Sequence, residues 1–200
     1  MRPRVVWRAA ALLGSMLAIS LAALCACSNP TSFHSTDVSS VMPPLEFKLT
    51  GEANKPVTEK ALRGKVTLLF FGYTSCPDVC PMTLLKLSLA LQHLGGDADS
   101  VRIVFVSVDP RRDSPAVLAR YVGGFGPHIM GLTGSDDSLT ALTKRYRVAY
   151  RRDEPDRNGW YAVYHSSAVF AFDREGKARL LINPSETVGQ IGEDLKALIG

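Results

Sequence analysis

An α/β domain with a mixed central sheet sandwiched by helices is predicted by three features of the 200-residue chain. Two stretches, 66–71 and 101–108, are almost continuously apolar, as strands covered on both faces are. Residues 81–94 carry apolar side chains at helical spacing, and a further helix runs from Ser114-Pro115 to about Val122. The order strand, strand, helix, strand, helix, then a strand hairpin and a last helix is that of a three-layer fold. With 46% hydrophobic and 21% charged residues, the chain has apolar material for one sizeable core, so one globular domain is expected.

The first residues are set apart. Arg2, Arg4 and Arg8 precede an apolar run from Ala9 to Leu24, the layout of an export signal. The sequence Leu24-Cys25-Ala26-Cys27 resembles a bacterial lipobox, in which Cys27 would be acylated and Cys25 lost with the signal. The run also approaches the roughly 20 residues that span a bilayer, so an uncleaved anchor is the alternative. Arginines before the run and none just after it fit an exported domain held at a membrane. A bacterial cell-envelope location, membrane-anchored and with lipidation favoured, is therefore expected. Residues 28–44, rich in Ser, Thr, Asn and Pro, read as a tether in which His34 has no role. The expected organisation is a signal peptide at 1–26, a lipid-anchored flexible tether at 27–43 and the folded domain at 44–200.

In the folded part, residues 45–50 alternate apolar and polar side chains, as in a half-buried strand. The helix expected at 81–94 offers two apolar sets, Met82, Leu85 and Leu89, and Leu84, Leu87, Leu91 and Leu94, and Gly95-Gly96 stops it. Ser114-Pro115 opens the next helix with a hydroxyl cap and a proline in the first turn. A short apolar run at 129–132 precedes a helix capped by Ser135. A strand is expected at 147–150, an exposed hairpin loop at 151–159, strands at 161–164 and 168–172, and a hairpin partner at 178–182. Pro184-Ser185-Glu186 begins the final helix.

The formal charge of +4 becomes +1 once the three signal arginines are removed, which leaves no clustered positive field and excludes nucleic acid as an expected partner. The pairs Arg111-Arg112 and Arg151-Arg152 read as solvated loop surface.

The chemistry sits where the strand at 66–71 runs into Tyr73-Thr74-Ser75-Cys76-Pro77-Asp78-Val79-Cys80-Pro81. Unpaired amides in a first helical turn favour thiolate over thiol. Cysteines four apart on a turn share a face, close enough for a disulfide or for one ion. A cysteine pair at this strand-helix junction is also where thioredoxin-like folds place theirs. In such a fold the loop before the penultimate strand packs beside this helix, and His165 lies in that loop. The loop holds no proline, unlike that of general oxidoreductases. His93 and His128 read as surface residues. Two thiolates and an imidazole suit copper in either oxidation state. A structural zinc site lacks its second ligand pair, and an iron-sulfur cluster lacks cysteines. Tyr73 stands where a peroxiredoxin would have threonine.

Three segments, 71–81, Ser107-Val108-Asp109-Pro110-Arg111-Arg112-Asp113 and His165-Ser166, together resemble the Sco/SenC family of copper-binding proteins, over roughly Pro44 to the C-terminus. The resemblance implies a thioredoxin-like, membrane-tethered domain with an N-terminal strand and a hairpin insertion before the ligand histidine. It implies Cys76, Cys80 and His165 as copper ligands. It also implies a metallochaperone that delivers copper to, or prepares, the binuclear copper site of cytochrome c oxidase subunit II, with another copper enzyme as the alternative recipient. Asp78 and Asp109 match motif positions without being ligands; either could tune the site, and Asp109 could equally be a strand-end turn. The sequence departs from many members in having Tyr164, not an acid, before the histidine. The other function weighed is a thiol-disulfide oxidoreductase, with Cys76 and Cys80 as its redox pair, that reduces the copper-ligand cysteines of that subunit. A third is a binding module whose cysteines form only a structural disulfide.

Overall fold

The computed structural model describes residues 32–200. Along the chain run β1 (Thr36–Asp37), β2 (Lys48–Gly51), β3 (Pro56–Thr58), a 3-10 turn (Glu59–Leu62), β4 (Val66–Gly72) and α1 (Val79–Leu94). A second 3-10 segment (Gly95–Ser100) leads to β5 (Val101–Ser107), α2 (Pro115–Gly123), β6 (Ile129–Thr133) and α3 (Asp136–Arg145). Then come β7 (Tyr150–Arg152), β8 (Val163–His165), β9 (Val169–Phe172), β10 (Ala178–Ile182) and α4 (Val188–Ile199). The signal segment and Cys27 lie outside the described residues. Among the described residues, no helix is long and apolar enough to cross a membrane.

Eight strands form one sheet in the order β1-β10-β9-β4-β5-β6-β2-β3, and β7 with β8 makes a separate hairpin. The sheet is mixed: β4, β5 and β6 run parallel, while β9 is antiparallel to β4. This is the three-layer, thioredoxin-like architecture expected. All seven residues of β4 are buried, as its unbroken apolar run requires of a strand covered on both faces.

Alternation along β4 divides the core. Phe71 points to the face where Tyr146, at the end of α3, packs against it together with Phe170 and Phe172. Phe70 and Gly72 point to the opposite face. That face is covered by α1, which packs on α4. Of the two apolar sets on α1, Leu84, Leu87 and Leu91 are buried, while Met82, Leu85 and Leu89 remain exposed.

Four expectations are corrected. Residues 33–43 are no free tether. Thr36 and Asp37 pair antiparallel with β10, and the buried Asp194 carboxylate accepts the His34 and Ser35 amides at 2.8 Å each. His34 also meets Glu193 at 2.7 Å. The polar composition that suggests a solvated tether serves bonds to the acids of α4 and to Glu186. Second, α1 begins at Val79, two residues before the proline, because Pro81 is tolerated within a first turn whose amides lack partners anyway. Third, β7 lies at Tyr150–Arg152 and not at 147–150, since Arg147 takes a left-handed conformation (φ 55°) that no strand accepts. Fourth, Arg112 and Arg152 are not solvated: Arg112 is ion-paired to buried Asp109, and Arg152 to Asp136.

Candidate metal centre

Three elements bring the site together. The turn after β4 carries Cys76, the first turn of α1 carries Cys80, and β8 ends on His165. Cys76 precedes the helix, so the two cysteines do not share a helical turn. They are brought together because the turn folds back, with the Cys80 amide pointing at the Cys76 sulfur at 3.5 Å. Cys80 Sγ lies 3.2 Å from Nε2 of His165. The three ligand atoms all lie within 4.8 Å of one another, and they form the one such His/Cys/Asp/Glu group of three or more among the described residues.

Gly72 makes room for this. A Cβ at that position would stand 2.7 Å from Cys80 Sγ and 2.6 Å from the Phe105 ring, closer than real carbon atoms approach. The last residue of β4 must therefore lack a side chain for α1 to seat its cysteine against the sheet.

His165 is held by aromatic neighbours, edge-on to Phe70 and Tyr73 with ring centroids 6.1 and 5.9 Å away. Its Nδ1 lies 2.9 Å from the Ser166 carbonyl. That oxygen can only accept, so Nδ1 carries the proton and Nε2 presents a lone pair toward Cys80. Burial lowers the His165 pKa, with the Ser166 carbonyl opposing it. Burial also pushes the Cys80 thiol well above the usual thiol range, against the Tyr73 backbone N–H, which favours thiolate. The expectation that the helix N-terminus makes Cys80 a thiolate is thus overturned in the metal-free protein: desolvation outweighs the helix end. The metal-free contact is a neutral S–H donating to a neutral imidazole.

Cys76 and His165 are half-buried and Cys80 is fully buried. Cys76 and His165 open on a cleft of about 290 Å³ whose wall includes Tyr73, Asp78, Val163 and Tyr164, with Cys80 buried behind them. Beside it, a larger groove of about 430 Å³ runs between α1 and α4 past the exposed Val79, Met82 and Leu85. Asp78 sits exposed at the N-cap of α1 and makes no side-chain bond to the helix. His93 is exposed and bonds the Leu89 carbonyl within its own helix, while His128 is half-buried.

The second motif is a buried polar network and not a surface loop. Asp113, fully buried, accepts from the Thr74 amide at 2.9 Å, from Thr74 Oγ1 at 2.6 Å and from Ser107 Oγ at 2.5 Å. Asp109, also fully buried, accepts from Tyr161 Oη at 2.6 Å and from Arg112 Nε. Asp109 is therefore more than a strand-end turn. Sequence reasoning passed over Asp113 as a motif letter, and nothing local marks Tyr161, whose partner is 52 residues away.

The pattern of the SCO1/SenC family matches residues 40–200. The chain belongs to that family. Among curated relatives, it is 35% identical over 153 residues to a mouse protein described as SCO2 homolog, mitochondrial, covering 76% of this chain and 60% of the mouse protein. It thus spans about three fifths of that relative's length. Among solved structures, a copper-bound ScoI from Bradyrhizobium japonicum is 40% identical with a TM-score of 0.71, covering 78% of this chain and 98% of that one. An apo Sco1 from Thermus thermophilus is 36% identical with a TM-score of 0.76, covering 86% of this chain and 99% of that one. Tyr164, the residue before His165, stands on β8. Its exposed ring carries the Arg151 guanidinium at 4.8 Å, across the β7-β8 pairing.

Proposed function

We propose that this chain binds one copper ion through Cys76, Cys80 and His165, and that it delivers copper to, or prepares, the binuclear copper site of cytochrome c oxidase subunit II. The observation that carries this reading is the convergence of two sulfurs and an imidazole nitrogen, all within 4.8 Å, with Cys76 and His165 reaching an open cleft. Soft sulfur donors suit Cu(I), and the nitrogen lets the same group hold Cu(II). The likeness to a copper-bound ScoI supports the choice of metal. Like many metal-ligating histidines, His165 gives its other ring N–H to a carbonyl, which fixes the tautomer with Nε2 free. Cys76 is the sulfur nearer solvent and so the natural first contact for an incoming thiolate, and transfer proceeds by exchange of ligands between the two proteins. Exported and anchored through residues 1–27, with Cys27 acylated, the domain would work at a bacterial membrane surface. The decisive measurement is copper titration of the purified chain beside Cys76→Ser, Cys80→Ser and His165→Ala. Unchanged binding by His165→Ala in both oxidation states would remove the histidine from the site.

A second reading is favoured by one specific observation. Cys76 and Cys80 are both free, one half-exposed and one buried, with the Cys80 amide at the Cys76 sulfur. An outer thiol backed by an inner one is the arrangement of dithiol-disulfide exchange. The Cys76 sulfur attacks a partner disulfide and releases one partner thiol. The Cys80 sulfur then attacks Cys76 in the mixed disulfide and releases the other. Two electrons and two protons pass to the partner as Cys76 and Cys80 become a disulfide. Reduction of an oxidised subunit II fragment at equal rates by wild type and His165→Ala, without copper, would put this reading first.

A further inference from the structure

We propose that the loop from Ser107 to Asp113 is a strut that sets the spacing between the cysteine half and the histidine half of the site, with Asp109, Asp113, Arg112 and Tyr161 as positioning residues. The proposal rests on the reading of Cys76, Cys80 and His165 as the copper site.

The two halves share no continuous element. Cys76 lies on the turn after β4 and His165 at the end of an outlying hairpin that belongs to a separate two-stranded sheet. Both are reached from one loop. Asp113 takes two bonds from Thr74, two residues before Cys76. Asp109 and Arg112 take hold of Tyr161, two residues before the start of β8, at three points. The Tyr161 hydroxyl donates to Asp109 at 2.6 Å, its carbonyl accepts from Arg112 Nη1 at 3.1 Å, and its ring lies 3.8 Å from the Arg112 guanidinium carbon. Arg112 also lies 5.6 Å from the Tyr73 ring, which itself stands edge-on to His165.

The loop is braced for such a task. The Ser107 hydroxyl donates to Asp113 and accepts from the Asp109 amide at 3.0 Å, and the Asp113 amide donates to the Asp109 carbonyl at 3.0 Å. Both carboxylates are fully buried. Buried charges are often replaceable by apolar residues without loss of stability, so stability alone is a weak reason for two of them in one short loop. What they provide is direction. Each carboxylate fixes a different segment at hydrogen-bond precision, and the backbone between Asp109 and Asp113 ties the two together.

The two arms make separable claims. Tyr161→Phe removes the hydroxyl on the histidine arm and keeps the ring. Thr74→Val removes one hydroxyl on the cysteine arm and keeps the backbone bond. Tyr146→Phe is the control, because its hydroxyl bonds the Pro44 carbonyl and the Glu46 amide on the other face of the sheet. Two quantities are measured on the full chain: copper affinity by chelator competition, and the metal-free Cys76-Cys80 dithiol-disulfide equilibrium against glutathione. Tyr161→Phe lowers copper affinity by about 10-fold, the low end of what losing a direct partner of a ligand costs because Tyr161 acts one step further out, and leaves the thiol equilibrium where it was. Thr74→Val moves both. Tyr146→Phe lowers the Tm and moves neither.

Wild-type copper affinity in Tyr161→Phe overturns the strut, as does a thiol equilibrium that shifts in step with the affinity, since that is the mark of general loosening. Failure of the wild type itself to take copper overturns the reading of the site and with it the histidine arm. The cysteine arm then stands or falls on the thiol equilibrium of Thr74→Val.

Discussion

The Cys80 sulfur and Nε2 of His165 meet at 3.2 Å across 85 residues of chain, and burial holds each of them neutral. The pH dependence of the metal-free protein follows. The His165 pKa is lowered from 6.5, so as pH falls below that value the unfolded chain takes up a proton that the folded one resists, and stability drops. The Cys80 pKa is raised from 9.0, so above that pH the unfolded chain releases a proton that the folded one keeps, and stability drops again. Each limb has a slope of at most about 1.4 kcal/mol per pH unit. Urea unfolding of reduced, metal-free protein from about pH 5 to about pH 10 should show both limbs. The acid limb should be shallower in His165→Gln and the alkaline limb in Cys80→Ser; unchanged limbs in these variants would count against the assignment.

If Cys80 is a copper ligand as proposed, copper must displace its proton, because it is the thiolate that binds metal. Affinity should therefore rise with pH by about tenfold per unit for each proton released. Proton release measured in weak buffer at neutral pH should fall by one per copper in Cys80→Ser. Equal release by that variant and the wild type would mean that Cys80 stays protonated and is not a ligand.

Gly72 and Cys80 are in steric balance, with no room for even a methyl group between the end of β4 and the sulfur. Gly72→Ala should cost about 1–3 kcal/mol, the usual penalty for overpacking a tight core. On the proposed ligand set it should also weaken copper binding, because the displaced atom is the Cys80 sulfur and backbone strand β4 cannot retreat. Thermal melts and copper titration of the same preparation test both effects, and a variant that melts lower but binds copper normally would show that the sheet, not the cysteine, had given way.

What could be read from the chain was what local pattern determines. The unbroken apolar runs of β4 and β5 mark buried strands, and two cysteines at a strand-helix junction mark the candidate site. His165 could be added because its place follows from the topology. The helix boundary at Val79 and the strand at Tyr150–Arg152 were misplaced because they depend on tolerance of Pro81 and on a left-handed Arg147, which composition does not reveal. Arg112 and Asp109 looked like a charged surface turn, since a buried ion pair and a solvated one have the same letters. The protonation of Cys80 was misjudged for a related reason: the helix end is visible in sequence, whereas the burial that outweighs it is a tertiary property.

The segment before β2 gives the last prediction. Composition made it a tether, yet one buried carboxylate, Asp194 on α4, accepts the amides of both His34 and Ser35 at 2.8 Å. Beyond it, β1 pairs with β10 over only two residues, and the Val38 amide reaches the Arg179 carbonyl at 2.9 Å. A two-residue strand supplies little pairing of its own, so Asp194 is the principal clamp on this end. In Asp194→Asn one carboxylate oxygen becomes an NH₂, which cannot accept, and one of the two amides is left facing a donor. The loss should be about 1–3 kcal/mol, and it should fall on the segment and not on the core. Hydrogen exchange at residues 34–38 should accelerate while Leu84 and Val104 stay protected, and copper affinity should hold, because the clamp does not touch Cys76, Cys80 or His165. Uniform acceleration across β4 and β5 would instead show that this edge is part of the cooperative core, and that the polar segment is as structural as the strands it borders.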